Sequence, residues 1–78
     1  MTTMNHDTEL DARGLSCPLP ILKTKKALSD LTSGQVLKVV ATDPGSIKDM
    51  QAFATQTGNP LLSTAEDGKD YVFFLKKK

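Results

Sequence analysis

The stretch Leu10-Asp11-Ala12-Arg13-Gly14-Leu15-Ser16-Cys17-Pro18-Leu19-Pro20 joins two different periodicities. On its N-terminal side, Thr8 to Ala12 alternates polar and apolar, with Leu10 and Ala12 on one face. That alternation predicts a short strand. On its C-terminal side, Ile21, Thr24, Ala27, Leu28 and Leu31 form one stripe at three-four spacing. That stripe predicts an amphipathic helix from Pro18 to about Leu31. Pro is favoured at the first helical position, because the N–H it lacks has no intrahelical partner there. Cys17 therefore reads as the N-cap and Pro18 as the first helical residue. Arg13 to Ser16 is the loop, and Gly14 permits a tight or left-handed backbone in it.

The same reading extends down the chain. Thr32-Ser33-Gly34-Gln35 ends the first helix. Val36 to Thr42 is a β-branched run and reads as a strand, with Leu37, Val39 and Ala41 on one face and Lys38 on the other. Asp43-Pro44-Gly45-Ser46 starts a second helix, with Asp43 or Ser46 as its N-cap. Ile47, Met50, Phe53, Ala54 and Thr57 form the buried stripe of that helix, and Gly58 stops it. Pro60 to Ala65 is a weaker strand, Asp67-Gly68 signals a hairpin, and Tyr71 to Leu75 returns with apolar residues on both faces. Lys76 to Lys78 reads as a solvated basic end that also blunts a strand edge. Met1 to Asp7 is polar and aperiodic, so a flexible N-terminus is expected before a single domain over residues 8–78. The order βαβαββ predicts an α/β fold. Its first two strands are parallel through a right-handed crossover, and both helices cover one face of a four-stranded mixed sheet.

Composition narrows the function. A chain of 78 residues supports one small core. The 38% apolar and 24% charged content suits a globular protein rather than a disordered one. A net charge of +1 supplies no electrostatic case for nucleic acid. The single cysteine and single histidine provide no intramolecular disulfide, no zinc cluster and no evident metal or cofactor site. No apolar run reaches membrane-spanning length and no signal peptide is recognisable, so a reduced, cytoplasmic setting is expected.

Cys17 is the candidate reactive group. A free cysteine is ordinarily an inert, buried small hydrophobe. At a helix N-cap, the dipole and free N–H groups favour the thiolate, which is the nucleophile. Pro18 and Pro20 remove two of those N–H groups and stiffen the turn, which leaves the Leu19 N–H as the expected donor to the sulfur. Arg13 and Lys23 add a weaker positive field. On an ideal wheel Leu19, Leu22, Lys23 and Lys26 point away from the core stripe. Two outward leucines beside a thiol, edged by lysines, read as a docking patch. Asp43 leaves the second strand at the same sheet edge, where ligands often sit, although capping its own helix is its simpler role.

The residues Leu10-Asp11, Arg13-Gly14-Leu15, Cys17-Pro18, Pro20 and Lys25-Lys26-Ala27-Leu28, with the later Asp43-Pro44-Gly45, resemble the TusA/SirA family of small sulfur-carrier proteins. The resemblance spans nearly everything after the first seven residues. It implies a two-layer α/β sandwich and a persulfide carried on Cys17. It also implies a cysteine desulfurase or rhodanese-like protein as sulfur donor and a downstream acceptor protein. The routes it implies are tRNA thiolation, molybdenum cofactor synthesis or sulfur oxidation. Leu19 stands where members tied to tRNA thiolation often have an acidic residue, which leaves sulfur oxidation open.

The residue chemistry agrees with a relay. Thiol exchange needs one thiolate that attacks a donor persulfide and later releases the outer sulfur. A second thiol nearby would expel that sulfur early, and there is none. With no base, metal or cofactor for independent turnover, a relay that is monomeric when reduced is expected. Two other classes compete. In a partner-binding regulatory module Cys17 would be only a cap, and serine there would be silent. An RNA-binding domain would use Lys23, Lys25, Lys26 and the lysine end. Its difficulty is that Tyr71, Phe53, Phe73 and Phe74 are all needed for packing, which leaves no base-stacking platform.

Overall fold

The alternation in the second strand sorts the molecule into two layers. In a computed structural model that describes residues 7–16 and 19–78, the elements are β1 (Thr8–Ala12), α1 (Leu19–Ser29), β2 (Val36–Ala41), α2 (Ser46–Thr57), β3 (Leu61–Asp67) and β4 (Asp70–Lys76). Leu37, Val39 and Ala41 of β2 are fully buried, whereas Val36, Lys38 and Val40 between them are only partly so. The buried set meets Leu10 and Ala12 of β1 and the Tyr71, Phe73 and Leu75 set of β4 across the ladders. Leu28 of α1 and Met50 and Phe53 of α2 close this core from the helical side. Burying each such side chain contributes about 1.5–3 kcal/mol, enough together to hold a small domain.

β1 and β2 pair in parallel and β4 runs antiparallel to both of its neighbours, in the order β1-β2-β4-β3. The mixed four-stranded sheet with two helices is as expected. Its strand order explains why β4 is apolar on both faces. As a central strand it offers Phe73 and Leu75 to the helices, and Phe74, on the opposite face, is itself only 5% exposed. The hairpin turns through Gly68 and Lys69 between paired Asp67 and Asp70, with Gly68 at φ 63°.

Several boundaries differ from expectation. α1 ends at Ser29, because Asp30 and Leu31 switch to bonds from their N–H groups to the carbonyls three residues back, tightening the last turn. Neither Asp43 nor Ser46 is the N-cap of α2. Gly45 holds that position without a side-chain bond, and Ser46 is already helical. Asp43 instead accepts from Gly45 N–H at 3.2 Å, an Asx turn leading into the helix. Asp7, expected in the loose leader, donates its N–H to Val36 O and accepts Val36 N–H on its carboxylate, both at 2.9 Å.

The lysine end is not a free tail. Gly34 N–H donates to Lys77 O, Lys77 N–H to Gln35 O, and Lys78 N–H to Asn59 Oδ1. It blunts no sheet edge either, since β4 is interior and the edges are β1 and β3.

Candidate functional site

Parallel pairing of Ala12 with Ala41 brings the chain out of β1 and β2 at the same end of the sheet. The two exit loops are tied together there, with Gly14 N–H donating to Thr42 Oγ1 at 2.9 Å. Gly14 sits at φ 80°, the left-handed conformation that glycine tolerates without strain, and this aims its N–H at the neighbouring loop. Thr42 carries no signal in the sequence that would have singled it out.

The expected cap at Cys17 and the helix start at Pro18 lie outside the described residues. Their neighbours on both sides are described. Ser16 O accepts the Leu19 N–H at 2.9 Å. This corrects one expectation. The Leu19 N–H, assigned as a donor to the sulfur, is engaged by the Ser16 carbonyl. A backbone carbonyl three residues back reaches it with no side-chain torsion to fix, so it wins.

Arg13 also departs from expectation. Its Nε lies 3.0 Å from Asp11 Oδ1 and its Nη2 3.2 Å from Asp11 Oδ2, with Asp70 at 3.9 Å. The hydrogen bond from the Arg13 side chain, then that from its backbone N–H, hold the Asp11 carboxyl below the usual range; the same pair raises the guanidinium. Asp11 and Asp70 lie with Arg13 around a depression of about 190 Å³ on the sheet. The positive field expected from Arg13 toward the thiol is therefore offset by its own acidic partners.

Pro20 does more than stiffen the turn. It is fully buried, on the same helical face as Thr24 and Leu28. Read as punctuation, the proline hides the start of the core stripe. Thr24, buried with it, satisfies its hydroxyl by donating to Pro20 O at 2.7 Å.

The outward face of α1 is as expected. Leu19 is 44% and Leu22 56% exposed, and Lys23 and Lys26 are exposed beside them. These residues form an apolar step with a basic rim, directly after Cys17 in the chain. Asp43 lies in the loop at this end, bonded into its own turn. The candidate aromatics for base stacking are occupied: Phe53, Phe73 and Phe74 are buried and Tyr71 packs against the core. Among the described residues no group of His, Cys, Asp or Glu has a metal-binding arrangement, and no helix is long and apolar enough to cross a membrane.

Comparison with known proteins places this geometry. The chain matches the family described as Sulfurtransferase TusA over residues 8–77. It is 61% identical over 71 residues to the sulfur carrier protein TusA of Allochromatium vinosum, covering 91% of this chain and 93% of that one. It is 41% identical over 78 residues to the sulfur carrier protein TusA of Pseudomonas entomophila, covering 100% of this chain and 98% of the relative. The crystal structure of a SirA-like protein from Desulfitobacterium hafniense superposes with a TM-score of 0.80 at 26% identity, covering 90% of this chain and 96% of that one. A strand-turn-helix frame around Cys-Pro-x-Pro, a matching fold and similarity along nearly the whole chain lead to one conclusion: this chain belongs to the TusA family.

Proposed function

We propose that this protein carries sulfur as a persulfide on Cys17. The Cys17 thiolate attacks the outer sulfur of a donor persulfide, forms the new S–S bond and releases the donor cysteine as its thiolate. The acceptor thiolate then attacks the outer sulfur on Cys17, and Cys17 departs as the leaving thiolate. Electrons balance at each step, since sulfane sulfur moves without net oxidation.

The observation that carries this reading is the pair of exposed leucines, Leu19 and Leu22, that follows Cys17 directly in the chain. An apolar step so close to the cysteine in the chain suits a protein partner rather than a small molecule. The Cys-Pro-x-Pro frame and the relatives' description as sulfur carriers support the same reading. Pro18 and Pro20 stiffen the turn, Gly14 shapes the loop before it, and Leu19, Leu22, Lys23 and Lys26 dock partners. The donor is a cysteine desulfurase or a rhodanese-like protein, and the acceptor a further thiol protein. Leu19 between the prolines favours a sulfur-oxidation route over tRNA thiolation. A carrier with a free thiol belongs in a reducing compartment such as the cytoplasm.

Intact mass after incubation with a cysteine desulfurase and cysteine tests the proposal. Wild type gains one sulfur atom. Cys17→Ser gains none and keeps its circular dichroism, because serine is a good helix N-cap. A folded Cys17→Ser protein that still gains sulfur overturns the reading.

A further inference from the structure

The helices cover one face of the sheet and leave the other open. Asp11, Val40, Val72 and Ala65 stand level across the four strands on that open face. Val40 and Val72 are only half-buried there, so the two central strands present an apolar floor. It is the floor of the depression of about 190 Å³, at the end of the sheet where β1 and β2 exit and the β3–β4 hairpin turns. Four carboxylates, Glu9, Asp11, Asp67 and Asp70, and two cations, Arg13 and Lys38, rim it.

The cations are already committed. The Arg13 fork closes on Asp11 at 3.0 and 3.2 Å. It meets Asp70 only at 3.9 Å, beyond hydrogen-bond distance. Lys38 lies 3.8 Å from Glu9. Asp67 has no ion pair among the described residues. Asp67 and Asp70 are also direct cross-strand partners at the base of the hairpin. Like charges so placed destabilise a strand pair, and asparagine at either position would avoid that cost. The open face therefore carries a surplus of negative charge beside an apolar floor. Its complement is a side chain with a long aliphatic stem and a cationic head.

We propose that this face is a docking surface for a basic segment of a protein partner, anchored by an arginine whose stem lies on Val40 and Val72 and whose guanidinium bridges Asp67 and Asp70. Arginine suits the pair better than lysine, because its planar fork serves two carboxylate groups at once. The surface is opposite in charge to the step of Leu19, Leu22, Lys23 and Lys26, so the two faces select different partners. That suits a carrier with a donor and an acceptor, and only the identity of the partner rests on the carrier reading above. A four-stranded face about six residues long offers roughly 400 Å². Counted on both partners, that area falls in the class of transient encounters, below about 1,200 Å² in total.

The test titrates the protein with a blocked pentapeptide carrying two arginines and follows backbone amide shifts by NMR. The same peptide with two glutamates is the control. The arginine peptide should shift the amides of Val40, Asp67, Asp70 and Val72 in a saturable way, and the glutamate peptide should not. Asp67→Lys should weaken arginine-peptide binding about three- to tenfold, and Asp67→Asn about two- to threefold, as expected for exposed charges. The melting temperature of both variants should stay level or rise, since the opposed like charges are gone. Asp30→Lys makes the same change in net charge as Asp67→Lys, at an exposed site outside the depression, and should bind within about twofold of wild type. Shifts spread evenly over exposed carboxylates, or equal weakening in Asp67→Lys and Asp30→Lys, overturn the inference. So do shifts at these amides on raising the protein concentration alone, which would assign the face to a second copy of the chain. Wild type that binds the arginine peptide but takes no sulfur from a cysteine desulfurase overturns the carrier reading and leaves the docking surface standing.

Discussion

The two ends of the sheet are held in different ways. At the end remote from Cys17, backbone bonds clamp Gly34 to Lys77 and Lys77 to Gln35, and Asn59 caps Lys78 N–H while its Nδ2 donates to Thr57 Oγ1. At the other end, among the described residues, a backbone-to-side-chain bond from Gly14 to Thr42 joins the loops, and Ser46 Oγ is buried without a partner at the start of α2. The clamp end keeps the fold closed. The loop end keeps the apolar surface of Leu19 and Leu22 exposed, as a carrier that must meet its partners requires.

A substitution at the clamp should cost the most stability and leave transfer alone. Asn59 is buried and removes two hydrogen bonds if truncated. Asn59→Ala should lose about 1–2 kcal/mol in chemical denaturation, with sulfur transfer unchanged below the melting range. Slower transfer in the folded variant would erase the functional difference between the ends.

Gly14→Ala should reverse that balance. Nothing lies within 4 Å of the added Cβ, so its cost comes from φ 80° alone, about 1 kcal/mol. The strain is relieved by moving the loop, which loosens the bond to Thr42 and should slow transfer more than Asn59→Ala does. Wild-type transfer rates in Gly14→Ala would mean that the loop geometry does not present the thiol.

Leu22→Ser changes exposed surface, so its stability should stay within about 0.5 kcal/mol of wild type. Transfer to and from a protein partner should slow, while alkylation of Cys17 by iodoacetamide keeps its rate. Equal slowing of both reactions would show a disturbed site rather than a lost contact.

The smallest effect belongs to Asp11→Asn. The Arg13 side chain, through its hydrogen bond first, depresses the Asp11 pKa. A depressed folded-state value means a stabilising contribution present above the ordinary carboxylate range and lost as pH falls through the folded value. Both side chains are exposed, so salt screens the pair. Wild type should show a slight acid loss of melting temperature at low salt that Asp11→Asn lacks. Identical acid profiles would remove Asp11 from the description.

Much of this molecule is local and was legible in sequence. Three-four spacing placed Thr24, Leu28, Met50 and Phe53 in the core, and alternation did the same for Leu37, Val39 and Ala41. Glycines marked turns because positive φ is a property of one residue, as at Gly14, Gly58 and Gly68. The outward placement of Leu19 and Leu22 followed from helical phase alone. The Cys-Pro-x-Pro frame named the family for the same reason, being a short contiguous pattern.

Tertiary structure decided whatever depends on segments distant in the chain. Strand order made β4 central and turned an expected free tail into a clamp, through bonds from Lys77 and Lys78 to Gln35 and Asn59. Arg13 was claimed by acidic neighbours, including Asp70 from the hairpin. Ser46 looked like one of two possible caps, and only the tertiary fold buried its hydroxyl. A side chain's type fixes which bonds it can make, but which groups lie within about 3 Å of it is set by how the chain closes on itself.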